Sequence, residues 1–425
     1  MKNINLYSGK KIAVIGLARS GLACANLLHS LGAHVRVTDS KQRGELADTI
    51  RQLASRQITL ECGVHTEDTI AGCDMAVLSP GIPDTALPVQ WARARGIPVY
   101  SEIEVAWTLC PAPVIAVTGS NGKTTTTTLM GLVLEAAGLR AVVCGNIGDP
   151  FSGEVAGIRP QDHVVLEVSS FQLEHIRTFK PHIAIVTNLN PNHLDRYGDL
   201  QEYIGAKKRI FLNQDEGDHL LLNRGDRASG EFAAGARSKV SYFDEEPGLN
   251  QNQAAVVKAA GIMGISRGVC MKVFADFKGL EHRMEQVARI NGVTFINDSK
   301  ATTVESAMWA LRNIPQQAVL IAGGKDKGLD YRLILDLARR KLRSCVLIGQ
   351  AADKIASVFE GVIDVEKAGD MEDAVRRAFE KASPGDTVIL SPMCSSYDMF
   401  VDYEERGRVF KKAVLDLEAN ARTSG

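Results

Sequence analysis

The sequence predicts an α/β protein of three domains, each built on a mostly parallel sheet wound with helices. Three observations predict this. Short β-branched runs alternate with segments of helical period along the chain. The 425 residues suit three domains at about 150 residues each. Pro111-Ala-Pro113 punctuates the chain just before a new apolar run, Val114-Ile-Ala-Val-Thr118, and so marks the end of one sheet and the start of the next.

The first domain, residues 1–104, opens with the run Lys11-Ile-Ala-Val-Ile-Gly16. A helix around Gly21 to Leu31 follows, then strands at His34 to Asp39 and Met75 to Leu78, with the block ending near Ser101 to Glu104. The second, residues 105–282, carries strands at Val114 to Thr118, Ala141 to Cys144, His163 to Val168, His182 to Thr187 and His219 to Leu222. Its Asp/Glu/Gly/Asn-rich stretch from Gln214 to Gln253 has only short apolar runs and defines few elements. The third, residues 283–425, carries strands at Val293 to Asn297, Ala318 to Ala322, Cys345 to Ile348 and Thr387 to Leu390.

Composition excludes several classes of function. Lys plus Arg is 49 against 50 for Asp plus Glu, a net charge of −1, so neither nucleic acid nor an anionic membrane is bound through bulk charge. The 8 cysteines form no CxxC pair and several sit inside apolar runs such as Ala141 to Cys144. They read as small buried hydrophobes in a reducing compartment, not as disulfides or a zinc site. The first ten residues are polar, and no apolar stretch reaches the length of about 18 residues that a membrane span needs. A cytoplasmic protein without membrane insertion is expected.

The sharpest local signal is Thr118-Gly-Ser-Asn-Gly-Lys-Thr-Thr125, between an apolar strand and an amphipathic helix containing Leu129 to Leu134. Glycines let such a loop wrap an anion with its backbone N–H groups, the lysine meets the β- and γ-phosphates, and a hydroxyl reaches Mg²⁺. The spacing departs from the usual G-x4-G-K-[ST] because position 117 is Val. ATP binding through Gly119, Ser120, Asn121, Gly122, Lys123, Thr124 and Thr125 is therefore expected, and the run Thr124 to Thr128 is read as a helix start. In the first domain, Gly16-Leu-Ala-Arg-Ser-Gly21 is G-x-G-x-x-G with the middle glycine replaced by Ala18, and Asp39 follows. Loss of that glycine argues against NAD. What remains is either a tight turn or a nucleotide site using Arg19, Ser20 and Asp39.

Glu167 closes the apolar run His163-Val-Val-Leu-Glu167, which puts its carboxylate at the phosphate-loop edge of a parallel sheet, where an acid suits Mg²⁺. His193, in Asn188-Leu-Asn-Pro-Asn-His-Leu-Asp195, reads by itself as a structural hydrogen bonder more readily than as a ligand. Lys207 reads by charge pattern as a solvated lysine.

Taken together, these segments resemble the Mur ligase family over nearly the whole chain. The resemblance is carried by Thr118 to Thr125, Ser79-Pro-Gly-Ile82, Gly145-Asn-Ile-Gly148, Leu166 to Glu174, Lys278-Gly-Leu-Glu-His-Arg283, Ile296 to Thr302, Gly323 to Gly328, and Ser391 to Ser396 with Arg406-Gly407. It implies a Rossmann-like N-terminal domain, a central P-loop ATPase domain and a Rossmann-like C-terminal domain. It also implies an ATP-dependent ligase of peptidoglycan precursor synthesis, joining D-glutamate to UDP-N-acetylmuramoyl-L-alanine through an acyl phosphate, and a monomer is expected.

By this resemblance Arg19, Ser20, Asp39, Ser40 and Gly81 hold the uridine diphosphate of the substrate, Asn146 contacts its sugar-peptide part, and Ser169 belongs to the same substrate site. Thr124, Glu167 and His193 serve two magnesium sites, together with Lys207 as a carbamate. Asn250, Arg283 and Asp298 complete the ATP site, and Thr302, Lys327, Ser396 and Tyr403 bind D-glutamate. A cation and hydroxyls are what a dicarboxylate needs. The chain departs from the family pattern at Asn192, before the metal histidine, around Asn250, and in the short stretch from Phe243 to Asn250 where a hairpin is usual. Other readings are a sibling ligase, a folylpolyglutamate synthase-like enzyme, a nucleotide-binding protein without catalysis, or a dehydrogenase. The dehydrogenase would leave the second phosphate loop unexplained. The folylpolyglutamate type lacks the N-terminal block, and a non-catalytic protein needs no intact set of Lys123, Glu167, His193 and Lys207.

Overall fold

Strand-forming residues in the computed structural model, which describes residues 1–189, 197, 199–326 and 328–423, collect into three sheets. The first contains β1 (Lys11–Ile15), β2 (His34–Asp39), β3 (Thr59–Cys62), β4 (Met75–Leu78) and β5 (Val99–Ser101) in the order β3-β2-β1-β4-β5, all parallel. The chain leaves β1 toward β2 and returns on its other side at β4. The crevice for a ligand in such a sheet lies where the order reverses, beyond the carboxyl ends of β1 and β4. The second sheet contains β6 (Val114–Thr118), β7 (Ala141–Gly145), β8 (His163–Glu167), β9 (Ile183–Val186), β10 (His219–Asn223) and β11 (Lys239–Phe243). Its order is β11-β10-β9-β6-β8-β7, again all parallel. β6 and β9 are buried along their whole lengths, as central strands covered on both faces must be, and this is why they read as unbroken apolar runs.

These two sheets belong to one compact unit, Met1–Phe277. A single hydrophobic cluster runs through it, from Val14 and Val37 to Ala116, Leu166 and Leu220. The helix Glu102–Leu109 spans the sequence-drawn boundary at 104 and links the two sheets. At its first turn, fully buried Glu102 accepts a hydrogen bond from the Ser152 backbone N–H at the start of helix Phe151–Glu154. Burial pushes the Glu102 carboxyl up from 4.5 to about 6. The fold therefore favours its protonated form, so stability falls as pH rises from about 4.5 to about 6 and is level on either side. The size of this effect is on the order of 2 kcal/mol. Glu102→Gln is expected to flatten that slope in urea titrations at pH 4.5 and 7.

The remaining residues, Lys278–Gly425, form a second unit. Its sheet contains β12 (Glu285–Ile290), β13 (Val293–Asn297), β14 (Ala318–Gly323), β15 (Leu342–Ile348), β16 (Asp364–Lys367) and β17 (Thr387–Leu390) in the order β12-β13-β17-β14-β15-β16. β12 runs antiparallel to β13, and the other pairs are parallel. The loops after β13, β17 and β14 therefore leave the sheet side by side. Strands β3, β5, β11, β12 and β16 add to those read from the sequence. The region from Gln214 to Gln253 holds β10, a helix at Ser229–Ala234, and β11 as a parallel edge strand. The short stretch after Phe243 is a turn with a bridge between Glu246 and Leu249, leading straight into helix Gln251–Ile262. The eight cysteines are free, and all but Cys62 are buried. Among the described residues no helix is long and apolar enough to cross a membrane.

Candidate active site

Register places the phosphate loop between two acidic or polar strand ends. Val117 of β6 pairs with Glu167 of β8, and Thr118 pairs with Val186 of β9, so the loop leaves β6 flanked by Glu167 on one side and Thr187-Asn188 on the other. Helix Lys123–Ala136 then starts directly from the loop, which aims its N-terminal N–H groups at the same edge. The Thr run is the start of this helix, as its sequence predicts.

The loop is shaped from its β9 side. Ser120 N donates to Asn188 O at 2.8 Å, and Asn121 N donates to Asn188 Oδ1 at 2.9 Å. The Asn188 side chain returns a bond to Asn121 O at 3.0 Å, and Thr187 Oγ1 donates to the same carbonyl at 2.6 Å. Gly119 has φ +144°, and a Cβ there would lie 2.0 Å from Thr187 Oγ1; at Gly122, φ +80°, it would lie 2.2 Å from Asn252 Oδ1. Both glycines are thus required by backbone conformation and by space. Gly119→Ala is expected to lower kcat/KM for ATP by about 100-fold, because a loop displaced by an ångström loses its alignment with the phosphates. Steady-state kinetics with varied ATP checks this.

Lys123 Nζ donates to Gly119 O at 2.9 Å and to Ser120 O at 3.0 Å, which holds the ammonium over the loop. Lys207, on helix Leu200–Lys208, is 2 % exposed, so the expectation of a solvated lysine is overturned. Its helix face packs inward through Tyr203 and Ile204, and the side chain is carried to the loop. There Nζ lies 3.0 Å from Gly119 O, 3.4 Å from Thr118 Oγ1 and 4.7 Å from the Tyr203 ring centroid. Burial and then the Lys123 ammonium push its amine well below the usual lysine range, while Glu167 opposes them. Tyr203 in turn shares a 2.9 Å hydrogen bond with Ser120 Oγ.

Glu167 is 2 % exposed. Its Oε1 accepts from Asn146 Nδ2 at 2.7 Å, and its Oε2 has no hydrogen-bond partner among the described residues. A buried carboxylate oxygen left open beside Lys207 and a phosphate loop fits a magnesium ligand by donor chemistry, because an anionic oxygen in that position otherwise costs free energy. Thr124, at the second position of the helix, supplies the hydroxyl type of donor. Asn146 also donates its backbone N–H to Glu167 O at 2.9 Å, so the expected sugar-peptide and metal residues are brought together. Ser169 caps helix Ser170–Glu174 in a reciprocal pair with Gln172.

Asn250 caps helix Gln251–Ile262 in the same way, its Oδ1 accepting from Gln253 N. The residue that the structure brings to the phosphate loop from this segment is Asn252, whose Oδ1 accepts from Thr126 Oγ1 at 3.3 Å. Neither Asn252 nor Asn188 was singled out from the sequence. The signals present were a stretch of amides, Leu249-Asn-Gln-Asn-Gln253, and an Asn-rich loop after a buried strand. His193 and Asn192 lie outside the described residues.

At the first sheet's crevice, Asp39 Oδ2 accepts from Leu17 N at 2.7 Å and Oδ1 from Lys41 N at 2.9 Å. Its carboxylate thus organises the loop after β1 and the turn after β2. Ala18 sits at φ −81°, so the middle position of the motif needs no glycine, whereas a Cβ at Gly21 would lie 1.9 Å from Gly16 O. Arg19 and Ser20 open helix Arg19–Ser30, with Arg19 exposed. Ser40 and Gly81 are exposed on the loops after β2 and β4.

In the second unit the loops after β13, β14 and β17 are laced together. Met393 N donates to Ala301 O, Gly323 N to Pro392 O and Lys325 N to Ser395 O. Arg406, 0 % exposed, donates to Ser299 O, Ser299 Oγ and Cys394 O. This lacing holds Thr302, Ser396 and Tyr403 at one sheet edge, and Lys327 lies outside the described residues. Asp298 is buried, accepts from Ser391 Oγ at 2.9 Å and from Met284 N at 3.3 Å, and is pushed up by burial to about 7. Arg283 is half-buried. Nearby, Glu281, His282 and Glu285 converge, but Lys411 bonds both carboxylates, at 2.9 and 2.5 Å, so this group is already an ion-pair cluster.

Comparison with known proteins agrees with this geometry. Residues 10–101 match the Mur ligase MurD-like N-terminal domain, residues 117–291 the Mur ligase middle domain, and residues 282–394 the Mur ligase glutamate ligase domain. The UDP-N-acetylmuramoylalanine–D-glutamate ligase of Chlorobium limicola is 40 % identical, over 96 % of this chain and 98 % of its own length. The chain belongs to the Mur ligase family. The enzyme of the same name from Geotalea daltonii is also 40 % identical, over 96 % of this chain and 98 % of its own. The fold of this Mur ligase is shared with the UDP-N-acetylmuramate–alanine ligase MurC of Thermotoga maritima, at TM-score 0.60 and 17 % identity, covering 96 % of this chain and 99 % of that one. It is shared too with the MurF ligase of Thermotoga maritima in complex with ADP, at TM-score 0.58 and 15 % identity, covering 98 % and 100 %.

Proposed function

We infer that this Mur ligase joins D-glutamate to UDP-N-acetylmuramoyl-L-alanine with conversion of ATP to ADP and phosphate, in the synthesis of peptidoglycan precursors. The observation that carries the reading is the meeting of Lys123, Lys207 and the open oxygen of Glu167 at one phosphate loop, in a chain 40 % identical to ligases of that name. The nucleotide-sugar part is assigned to residues 1–104, the ATP part to 105–282 and the amino-acid part to 283–425. The working form is a cytoplasmic monomer whose partners are small molecules.

The chemistry runs in two steps. An oxygen of the alanyl carboxylate attacks the γ-phosphorus of ATP, the bond to the bridging oxygen breaks, and an acyl phosphate and ADP result. The amine of D-glutamate then attacks the acyl carbon, the C–O bond to phosphate breaks, and the amide forms as the amine loses a proton.

Lys123 and the backbone N–H groups of Gly119 to Thr125 hold and orient the β- and γ-phosphates and offset the charge that develops on them, where most of phosphoryl-transfer catalysis arises. Mg²⁺, in the two sites proposed here, would supply further charge neutralisation on the phosphoryl oxygens. Glu167, Thr124, His193 and carbamylated Lys207 would hold it. Burial, which pushes the Lys207 amine below the usual lysine range, favours the neutral form that adds CO₂ and so supports the carbamate. Arg19, Ser20, Asp39, Ser40, Gly81, Asn146 and Ser169 orient the nucleotide sugar. Asn252, whose side chain borders Gly122 and Thr126, adds a polar contact beside the ATP loop. Thr302, Lys327, Ser396 and Tyr403 hold the carboxylates of D-glutamate.

An isotope experiment tests the sequence of steps. With ¹⁸O in the alanyl carboxylate, the released phosphate should carry one ¹⁸O. Phosphate free of label, with product still formed, would exclude activation through an acyl phosphate.

A further inference from the structure

The stretch from Leu173 to Phe179, which ends helix Ser170–Glu174, is gripped from several directions within the first unit. His175 Nε2 lies 2.7 Å from Asp84 Oδ1, on the loop that leaves β4 and carries Gly81. His175 O accepts from Ser101 N at 3.0 Å. The backbone N–H groups of Arg177, Thr178 and Phe179 all donate to the buried carboxylate of Glu104, at 2.9, 2.7 and 2.9 Å. From the opposite side Arg209, two residues beyond Lys207, donates to Leu173 O at 2.8 Å and Ile176 O at 2.6 Å. The other end of the helix is capped by Ser169, two residues after Glu167. One short rigid element thus touches the loop of Gly81, the strand end of Glu167 and the helix end of Lys207.

We propose that Asp84 and His175 are positioning residues that set the nucleotide-sugar loop in register with the phosphate-transfer edge, so that the acceptor carboxylate is presented in line with the γ-phosphate. The inference rests on the function proposed above. Among the contacts named above, the Asp84–His175 pair reaches directly to the loop that carries Gly81. Asp84 is also bonded by Arg93, and the His175 and Arg93 partners hold its carboxyl down to about 2. The His175 side chain is 10 % exposed and that of Asp84 42 %, so the imidazole is held by the protein around it and meets a carboxylate at the surface. Tyr100 OH, which accepts from Arg177 Nη1 at 3.2 Å, borders the same turn.

The test uses the full-length enzyme with Asp84→Ala, His175→Ala, the double variant and Asp84→Asn. Each alanine variant should raise KM for UDP-N-acetylmuramoyl-L-alanine about tenfold and leave KM for ATP unchanged, the loss expected for one hydrogen bond to a carboxylate. The double variant should be no worse than either single one. Asp84→Asn, which keeps an acceptor, should restore most of the affinity. Unchanged KM for the nucleotide sugar, or equal losses for ATP, would overturn the proposal.

Hydrogen exchange without substrate separates this from failure of the functional reading. Asp84→Ala should speed exchange at residues 170–179 as well as 79–86 whether or not that nucleotide sugar is the substrate. Exchange altered at 79–86 alone would overturn the coupling even in an active enzyme. A wild type that ignores the nucleotide sugar, with exchange altered in both segments, would overturn the functional reading and the role assigned to the pair in it.

Discussion

Lys123→Ala is expected to reduce the rate of ligation by about 10²–10³-fold, the usual cost of removing one preorganised charge donor from a transition state. The ammonium is fixed by two carbonyls of its own loop, at 2.9 and 3.0 Å, so little reorganisation is needed when phosphate oxygens take their place. Its effect should fall mainly on kcat, since charge accumulates on the transferring oxygens more in the transition state than in bound ATP. Lys123→Arg should not restore activity, because a planar fork replaces a point charge in a loop with no spare volume around Gly119 and Gly122. Rates within tenfold of wild type for Lys123→Ala would remove this residue from the chemistry.

Lys207→Ala is expected to lower activity by about 10³-fold, the several kcal/mol that a misplaced metal would cost the transition state. Acetate or another short carboxylic acid added to the assay should restore part of it. The reason is spatial as well as electrostatic. Truncation leaves a gap in a fully buried position against Gly119, Thr118 and the Tyr203 ring, and a small carboxylate fills both the volume and the place of the carbamate. Wild-type enzyme in ¹³C-labelled bicarbonate should show a carbamate carbon that Lys207→Ala lacks. Full activity of Lys207→Ala without added acid would exclude the role.

What was legible in the sequence follows the physics of each element. β6, β8, β9, β10 and β14 lie inside their sheets and read as unbroken apolar runs, so they stand out without context. β16, Asp364-Val-Glu-Lys367, is an edge strand, and three of its four residues are charged. β12 is likewise an edge, with Glu285 and Arg289 in it. Such strands are defined by their pairing partners, not by their own composition. The phosphate loop was legible because glycines at Gly119 and Gly122 answer a backbone demand that no other residue meets. Burial of Lys207 was not, because it depends on which helix face meets the sheet. Nor was the choice between Asn250 and Asn252, since both are amides in one stretch and only the start of helix Gln251–Ile262 decides which one caps and which one reaches the loop. Asp39 was found as an acid at the right place, but its two backbone hydrogen bonds are a matter of loop geometry.

The central claim is a ligation that needs all three substrates together. Phosphate release from ATP and Mg²⁺ should be measured with UDP-N-acetylmuramoyl-L-alanine and, in turn, D-glutamate, L-glutamate, meso-diaminopimelate and no amino acid. Release that requires both the nucleotide sugar and D-glutamate is the predicted result. Release that is independent of the nucleotide sugar, or that depends on another amino acid in place of D-glutamate, would contradict it.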